Sequence, residues 1–408
     1  MRLRAGRAIG SADNGGRALE RDLRVAVIGA GRWAQHAHLP GWQRCPGVDL
    51  AVICDLDRDL AEERAREFGG AEVATDYREV VARQDVDVVD VCTRDEHDTI
   101  VFAALEAGKH CLTEKPVAHR ADEVWRAAAL AKSQGLKTKV GLTFRYAPAI
   151  RYMAELVAEG FCGKPFVFNG YEQNSQWLDP DNPADKRVLS APAADDPVGG
   201  WSRAEEDITV SSLEGYGAPI IDIGLMLTGG DPTEVVGVLR NFVPERRRTN
   251  LDHHRELINI DDGDVFIGKL GSGPLMTIQS SYVTVGNYPG VEARLYGDRG
   301  ALICRIVDEG GEWQRIWGAT AEEVEFRRLE VPARHFPPGY QPGHGWEETC
   351  YGNLIKSFVE EIAGVAPTNQ GDFEAGAKVQ EVINAVEASH RSHAWVKVRH
   401  AGGATTDV

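Results

Sequence analysis

Leu23-Arg24-Val25-Ala26-Val27-Ile28-Gly29-Ala30-Gly31-Arg32-Trp33-Ala34 decides the fold. A short β-branched run reads as a buried strand, and it ends directly in two glycines one residue apart, with a third small residue, Ala34, where a helix begins. Each part has a physical task in a βαβ unit built for a dinucleotide. Gly29 permits the tight turn, and Gly31 leaves the backbone bare for a pyrophosphate. Ala34 keeps the helix close to the sheet, and the free N–H groups from Ala30 through Arg32 and Trp33 meet the phosphates at the positive end of the helix. A second apolar strand, Val48 to Cys54, ends in Asp55, where a carboxylate accepts hydrogen bonds from ribose hydroxyls. Its charge repels a 2′-phosphate, so NAD is expected, while Arg58 nearby leaves NADP possible.

The alternation continues outward from this unit. Helical spacing over Arg58 to Phe68, an extended piece at Glu72 to Thr75 and a short helix from Tyr77 to Arg83 lead to the buried-strand pattern Val86 to Cys92, closed by Thr93. Asp95 to Ala107 reads as a helix, His110 to Leu112 as a strand, His119 to Gln134 as a long helix and Lys137 to Phe144 as a sixth strand. Six strands interleaved with helices predict an α/β fold, a doubly wound parallel sheet over 22–145. Ligands bind at the carboxyl ends of such strands. That gathers Gly29, Asp55, Thr93, Glu114-Lys115-Pro116 and Arg145 around one crevice.

Glu114-Lys115-Pro116 after the fifth strand, Thr93-Arg94-Asp95-Glu96-His97 upstream, Gly108-Lys109-His110 and Phe144-Arg145-Tyr146 form a specific combination with the glycine turn. Together they resemble the Gfo/Idh/MocA family of nicotinamide-dependent oxidoreductases, over roughly Leu23 to Val398. The resemblance implies a Rossmann domain followed by an α/β domain with a large open, mainly antiparallel sheet, and oxidation or reduction of a sugar, cyclitol or related polyol. It assigns Lys115 to the reacting oxygen, where an ammonium stabilises developing charge. Glu114 then holds Lys115 or shapes the nicotinamide ribose pocket. Thr93, Arg94, His97 and Arg145 line the cofactor path by the same matching; His97 serves equally well as a capping residue.

From Tyr146 the composition changes, which sets a second domain at 146–398. Tyr146 to Glu159 reads as a helix, Lys164 to Gln173 as an aromatic strand, and Ser175 to Ser212 as a long loop rich in Asp, Pro and Gly. Trp201 and Arg203 in that loop resemble a Trp-Arg pair of the family that would face a sugar ring and its hydroxyls; Trp201 serves equally as a packing anchor. Gly215-Tyr216-Gly217-Ala218-Pro219-Ile220-Ile221-Asp222 then departs from the family pattern DxGxHxxD. Gly215 stands where the family has Asp, and Pro219 where it has the histidine that handles the hydroxyl proton. Tyr216, on the face of Pro219, and Glu214 flank the vacancy, and Tyr216 is the expected catalytic and substrate-contacting replacement. Strands are expected at Val235 to Val243, Glu256 to Ile260, Val265 to Leu270, Leu275 to Val285, Ala293 to Tyr296 and Ala301 to Ile306, with turns at Asp262-Gly263 and Asp298-Arg299-Gly300. Helices at Glu347 to Ala363 and Phe373 to His390 and a strand at Trp395 to Val398 close the chain, before a tail from 399.

Composition bounds the alternatives. A chain of 408 residues with 43% hydrophobic and 26% charged residues is an ordinary globular protein of two or three domains. A net charge of −17 argues against nucleic acid or an anionic membrane as partner. The seven cysteines are scattered and form no CxxC, and His253-His254 lacks a third ligand, so no metal set is legible. No apolar run is long enough to span a membrane, and the first twenty-one residues, arginine-rich without an apolar block, read as a disordered tail. A cytoplasmic protein is expected, associating as a homodimer or homotetramer through one face of the second sheet. Three functions stay open. They are a polyol dehydrogenase with a relocated acid/base, an enzyme that retains NAD and uses transient oxidation for elimination, hydrolysis or epimerisation, and a non-catalytic nucleotide binder.

Overall fold

The computed structural model describes residues 21–94, 96–182, 208–247, 254–323, 325–341, 343–365 and 370–400. Trp201, Arg203 and His253 lie outside them. The first domain carries β1 (Leu23–Ile28), α1 (Leu39–Arg44, entered through a π-wound turn at Ala34–His38), β2 (Val48–Cys54), α2 (Arg58–Glu67), β3 (Glu72–Ala74), α3 (Tyr77–Val81), β4 (Val88–Val91), α4 (His97–Glu106), β5 (His110–Thr113), α5 (Ala121–Ser133) and β6 (Thr138–Val140). All six strands run parallel in the order β3-β2-β1-β4-β5-β6. Helices cover both faces, so the strands are apolar throughout rather than alternating: Val25, Ala26 and Val27 are all fully buried. The order reverses between β1 and β4, and the glycine turn leaves β1 at that switch point. Asp57 and Asp76 cap α2 and α3 by accepting from the N–H groups of Asp59, Leu60 and Arg78, which fixes the loops at the mouth of the crevice.

The second domain comprises α6 (Pro148–Ala158), β7 (Pro165–Gln173), α7 (Ala218–Thr228, entered through a π-wound turn at Leu213–Gly217), β8 (Pro232–Arg240), β9 (Glu245–Arg246), β10 (Glu256–Leu257), β11 (Gly263–Leu270), β12 (Leu275–Ser281), β13 (Pro289–Gly297), β14 (Gly300–Glu309), β15 (Glu312–Thr320), β16 (Arg327–Leu329), α8 (Trp346–Ile362), α9 (Phe373–Ser392) and β17 (Val396–Lys397). Nine strands form one sheet in the order β16-β15-β14-β13-β7-β12-β11-β8-β17, antiparallel except for the β7–β12 pair. Helices α6, α7 and α9 pack on its inner face, and α8 packs back onto α1. On the outer face Val238, Val265, Ile267 and Leu275 stay exposed. Val238 and Val265 are direct cross-strand neighbours there.

Several sequence expectations are corrected. The sixth strand stops at Val140, and residues Thr143–Tyr146 form a 3-10 turn; at Gly141 between them a Cβ would run into the Glu114 carboxyl and the Tyr351 hydroxyl. Asp262-Gly263 is not a hairpin turn: the Asp262 carboxylate accepts from the N–H groups of Phe242 and Val243 and from Arg246, folding a longer excursion back on itself. Strands β15 and β16 were not anticipated. Arg21, placed in the tail by composition, pairs with Asp87 at 2.6 Å. No helix among the described residues is long and apolar enough to cross a membrane.

Candidate active site

A cleft of about 1370 Å³ runs from the carboxyl edge of the first sheet to the inner face of the second. Its first half is backbone. Gly29 has φ +98°, and a Cβ there would meet the Cys92 carbonyl at 2.6 Å, so strand β4 packs directly on the turn and only glycine fits. A Cβ at Gly31 would meet nothing within 4 Å; its bare face opens into the cleft, with Arg32 and Trp33 on the same wall. The Asp55 carboxylate accepts from the N–H of Ala30 at 2.7 Å and of Asp57 at 2.9 Å, bracing the turn from β2. An open glycine cradle at the start of a helix with a carboxylate beside it fits a dinucleotide. Beyond Asp55 the wall is made by Leu56, Thr75, Asp76, Tyr77 and Arg78, with Arg78 tied to Asp76 at 2.8 Å. Arg58 lies 3.9 Å from Glu62 and is not part of the cleft wall.

The other predicted cofactor residues divide. Thr93, Arg94 and His97 line the cleft. The two ring nitrogens of His97 lie 2.8 Å from the carbonyl oxygens of Pro116 and Thr93, so the ring clamps the β4 turn to the β5 turn. Arg145 is corrected: it is buried off the cleft wall, and its guanidinium pairs with Asp222 at 2.8 Å, tying the 3-10 turn to α7. That pairing accounts for the aromatic-Arg-Tyr motif without any ligand.

Lys115 stands at the junction of the two halves, its Nζ donating to the carbonyl of Gly215 at 2.5 Å. Behind it Glu114 accepts from the Tyr351 hydroxyl and faces His38 Nε2 at 3.2 Å. Burial works against its ionisation, but those partners and Lys115 hold the carboxyl down at about 2. His38 is itself buried, its Nδ1 2.8 Å from Asp90, which also accepts from Trp42 Nε1 at 2.6 Å. Burial opposes the charge on His38, yet its neighbours, Asp90 foremost, raise its pKa well above the ordinary imidazole value. His38, Asp90 and Cys92 bring three ligand-type atoms within 4.8 Å, but the imidazole already bridges two carboxylates.

Around Gly215 and Pro219 the structure places each candidate. A side chain at Gly215 would meet nothing within 4 Å, and Pro219 lines the same wall. Glu214 is turned to His119 at 3.1 Å and Gln380 at 3.1 Å. Tyr216 does reach the cleft, but its hydroxyl donates to Gln176 Oε1 at 2.6 Å and accepts from Trp177 Nε1 at 2.8 Å. These two contacts tie the Tyr216 hydroxyl to the wall of the cleft. Sequence reasoning missed Glu172, Tyr288, Phe144 and Trp346, which complete this half of the cleft. Glu172 carried one usable signal: a charge on the inward-facing register of a strand whose other inward positions are Phe168 and Gly170.

Comparison with known proteins follows the same division. Residues 23–142 match the model of an oxidoreductase family with an NAD-binding Rossmann fold, and residues 150–303 match the Gfo/Idh/MocA C-terminal domain. The chain belongs to the Gfo/Idh/MocA family. The levoglucosan dehydrogenase of Pseudarthrobacter phenanthrenivorans is 24% identical over 85% of this chain and 89% of that protein. An inositol 2-dehydrogenase of Rubrobacter xylanophilus is 30% identical over 45% of this chain, which spans about half of that relative, 53% of its length. Among solved structures, an oxidoreductase domain protein from Kribbella flavida superposes with a TM-score of 0.79 at 28% identity, over 93% of this chain and 100% of that one. A levoglucosan dehydrogenase bound to NADH and levoglucosan shares the fold, with a TM-score of 0.77 at 23% identity over 93% and 100% of the two chains. As a Gfo/Idh/MocA protein, this chain is an NAD-binding oxidoreductase.

Proposed function

We propose that the protein transfers hydride between NAD and a hydroxyl- or keto-bearing carbon of a sugar, cyclitol or related polyol. The observation that carries this reading is Lys115, an ammonium fixed at the junction between an open dinucleotide cradle and an aromatic-walled pocket. Gly29, Ala30, Gly31, Arg32, Trp33 and Asp55 would hold the adenosine and pyrophosphate, and Thr93, Arg94, Glu114 and Lys115 the nicotinamide ribose, with His97 fixing their turns. When bound, NAD supplies the two-electron acceptor for the carbon-bound hydrogen. Lys115 orients the substrate oxygen and stabilises the charge that develops on it. Tyr216, Trp177, Tyr288 and Trp346 enclose the ring and exclude water. Sugar and cyclitol dehydrogenases among the relatives support the substrate class.

Calorimetric titration with NAD and NADP, followed by a panel of polyols and anhydrosugars read at the NADH absorbance, tests this. Tighter NAD than NADP binding and turnover of one panel member are expected; no binding of either nucleotide overturns the reading. Pro219 at the histidine position favours a second reading, in which NAD is retained and oxidation is transient within an elimination, hydrolysis or epimerisation. Co-purified nucleotide with product formed but no net NADH would single it out. Unbridged cysteines fit a reducing cytoplasm. The exposed Val238, Val265, Ile267 and Leu275 on the open sheet face fit a homodimer or homotetramer.

A further inference from the structure

With proline where the family pattern has histidine, and the Tyr216 hydroxyl donating to Gln176, the hydroxyl proton of a substrate needs an acceptor. The buried carboxyls of the second domain mostly have evident structural work. Asp261 holds the N–H groups of Ser212 and Leu213, Asp262 holds Arg246 and the N–H groups of Phe242 and Val243, Asp222 holds Arg145, and Glu214 holds His119 and Gln380. Glu172 has no such work. It is 3% exposed, its Oε2 has no hydrogen-bond partner among the described residues, and it lines the cleft together with Lys115, Pro219 and Tyr288. A buried carboxyl oxygen without a partner costs folding free energy on the order of 1–3 kcal/mol, which a ligand hydroxyl in the cleft would relieve.

The register explains how it comes to be there. Glu172 on β7 is the cross-strand partner of Ser280 on β12, and Ser280 is the partner of Asp264 on β11. The Ser280 hydroxyl bonds the Asp264 carboxyl. One polar row thus crosses an otherwise apolar inner face. Gly170, two residues earlier on β7, lies beneath Ile220 of α7, so Glu172 emerges towards the start of α7 and lines the same cleft as Pro219.

We propose, resting on the dehydrogenase reading above, that Glu172 is the catalytic residue that exchanges the hydroxyl proton of the substrate, in place of the family histidine. In alcohol oxidation the C–H bond breaks with its electron pair going to NAD, the O–H bond breaks with its proton going to the Glu172 carboxylate, and the carbon–oxygen double bond forms. Reduction runs the same transfers backwards. The groups that face Glu172 are Lys115 from the β5 turn, Asp264 from β11 and Tyr288 ahead of β13. Burial and Asp264 raise the carboxyl well above its ordinary value against the opposing pull of Lys115. Oxidation therefore gains rate as pH rises through that elevated value, and reduction loses it.

The test is Glu172→Gln, isosteric and uncharged. NADH binding, read by fluorescence titration, is expected within two-fold of wild type, with oxidation of the substrate found on the panel slowed at least about a hundred-fold and the pH inflection gone. Turnover by Glu172→Gln equal to wild type overturns the proposal while leaving the dehydrogenase reading intact. Should Glu172→Gln fail to bind NADH, Glu172→Asp is expected to keep the inflection and lose at least ten-fold in kcat; an unchanged kcat overturns the assignment. Infrared difference spectra of the NADH complex give a readout without turnover. A protonated-carboxyl band absent from Glu172→Gln should shift when levoglucosan or myo-inositol is added, and a wild-type band indifferent to both overturns the assignment even if no panel member is oxidised.

Discussion

The two halves of the cleft are built by different means. The dinucleotide half comes from two neighbouring strand ends, β1 with its glycine turn and β2 with Asp55; the bare Gly29 admits the Cys92 carbonyl and the bare Gly31 opens into the cleft. The substrate half is assembled from Lys115, Glu172, Tyr216, Tyr288 and Trp346, which belong to five separate segments. A backbone cradle tolerates little sequence change because its geometry is the function. A side-chain pocket can lose its proton acceptor at one position and regain one from a neighbouring strand, provided the fold holds a second carboxyl within the cavity.

The largest expected effect separates the halves. Lys115→Met should abolish turnover, at a cost of about 3 kcal/mol or more in the barrier, with NADH affinity changed only a few-fold; undiminished turnover would make Lys115 a mere brace for the Gly215 carbonyl. Gly29→Ala should do the converse and erase nucleotide binding, because its Cβ meets the Cys92 carbonyl and its φ is left-handed. The strain costs about 1–3 kcal/mol beyond that clash. A calorimetric titration showing normal NAD binding would refute the cradle.

The hinge between the halves has its own pH signature. Glu114 titrates near 2 when folded and near its ordinary value of about 4.3 when unfolded, so it contributes stability that is complete above the unfolded value and is lost as pH falls towards 2. The amount is on the order of 3 kcal/mol. Urea denaturation of Glu114→Gln should show lower stability at neutral pH and a flatter acid limb than wild type. A smaller effect sharpens the nucleotide half: Asp55→Ala should weaken NAD about ten-fold and NADP less, since only the ribose contact and the brace on Ala30 are lost. Smallest is Tyr216→Phe, expected to raise KM a few-fold through the loss of the Gln176 and Trp177 contacts, with the pH profile unmoved. A ten-fold fall in kcat with an altered profile would return the base to Tyr216.

The sequence alone determined the Rossmann half. Strand, turn, helix and acid are close neighbours along the chain, and local chemistry suffices when recognition is by backbone; the same holds for Lys115, which follows directly on a strand end. It also held a legible sign of strand β15 in the turn pair Gly310-Gly311 ahead of the β-prone Trp313, Ile316 and Trp317. Tertiary structure decided the rest. Arg145 and Glu172 are both charged residues in apolar surroundings, and nothing local says that one meets Asp222 while the other meets open cleft. That depends on the register of β7 against β12 and on where α7 crosses the sheet, long-range pairings whose energies come from burial of side chains far apart in the chain.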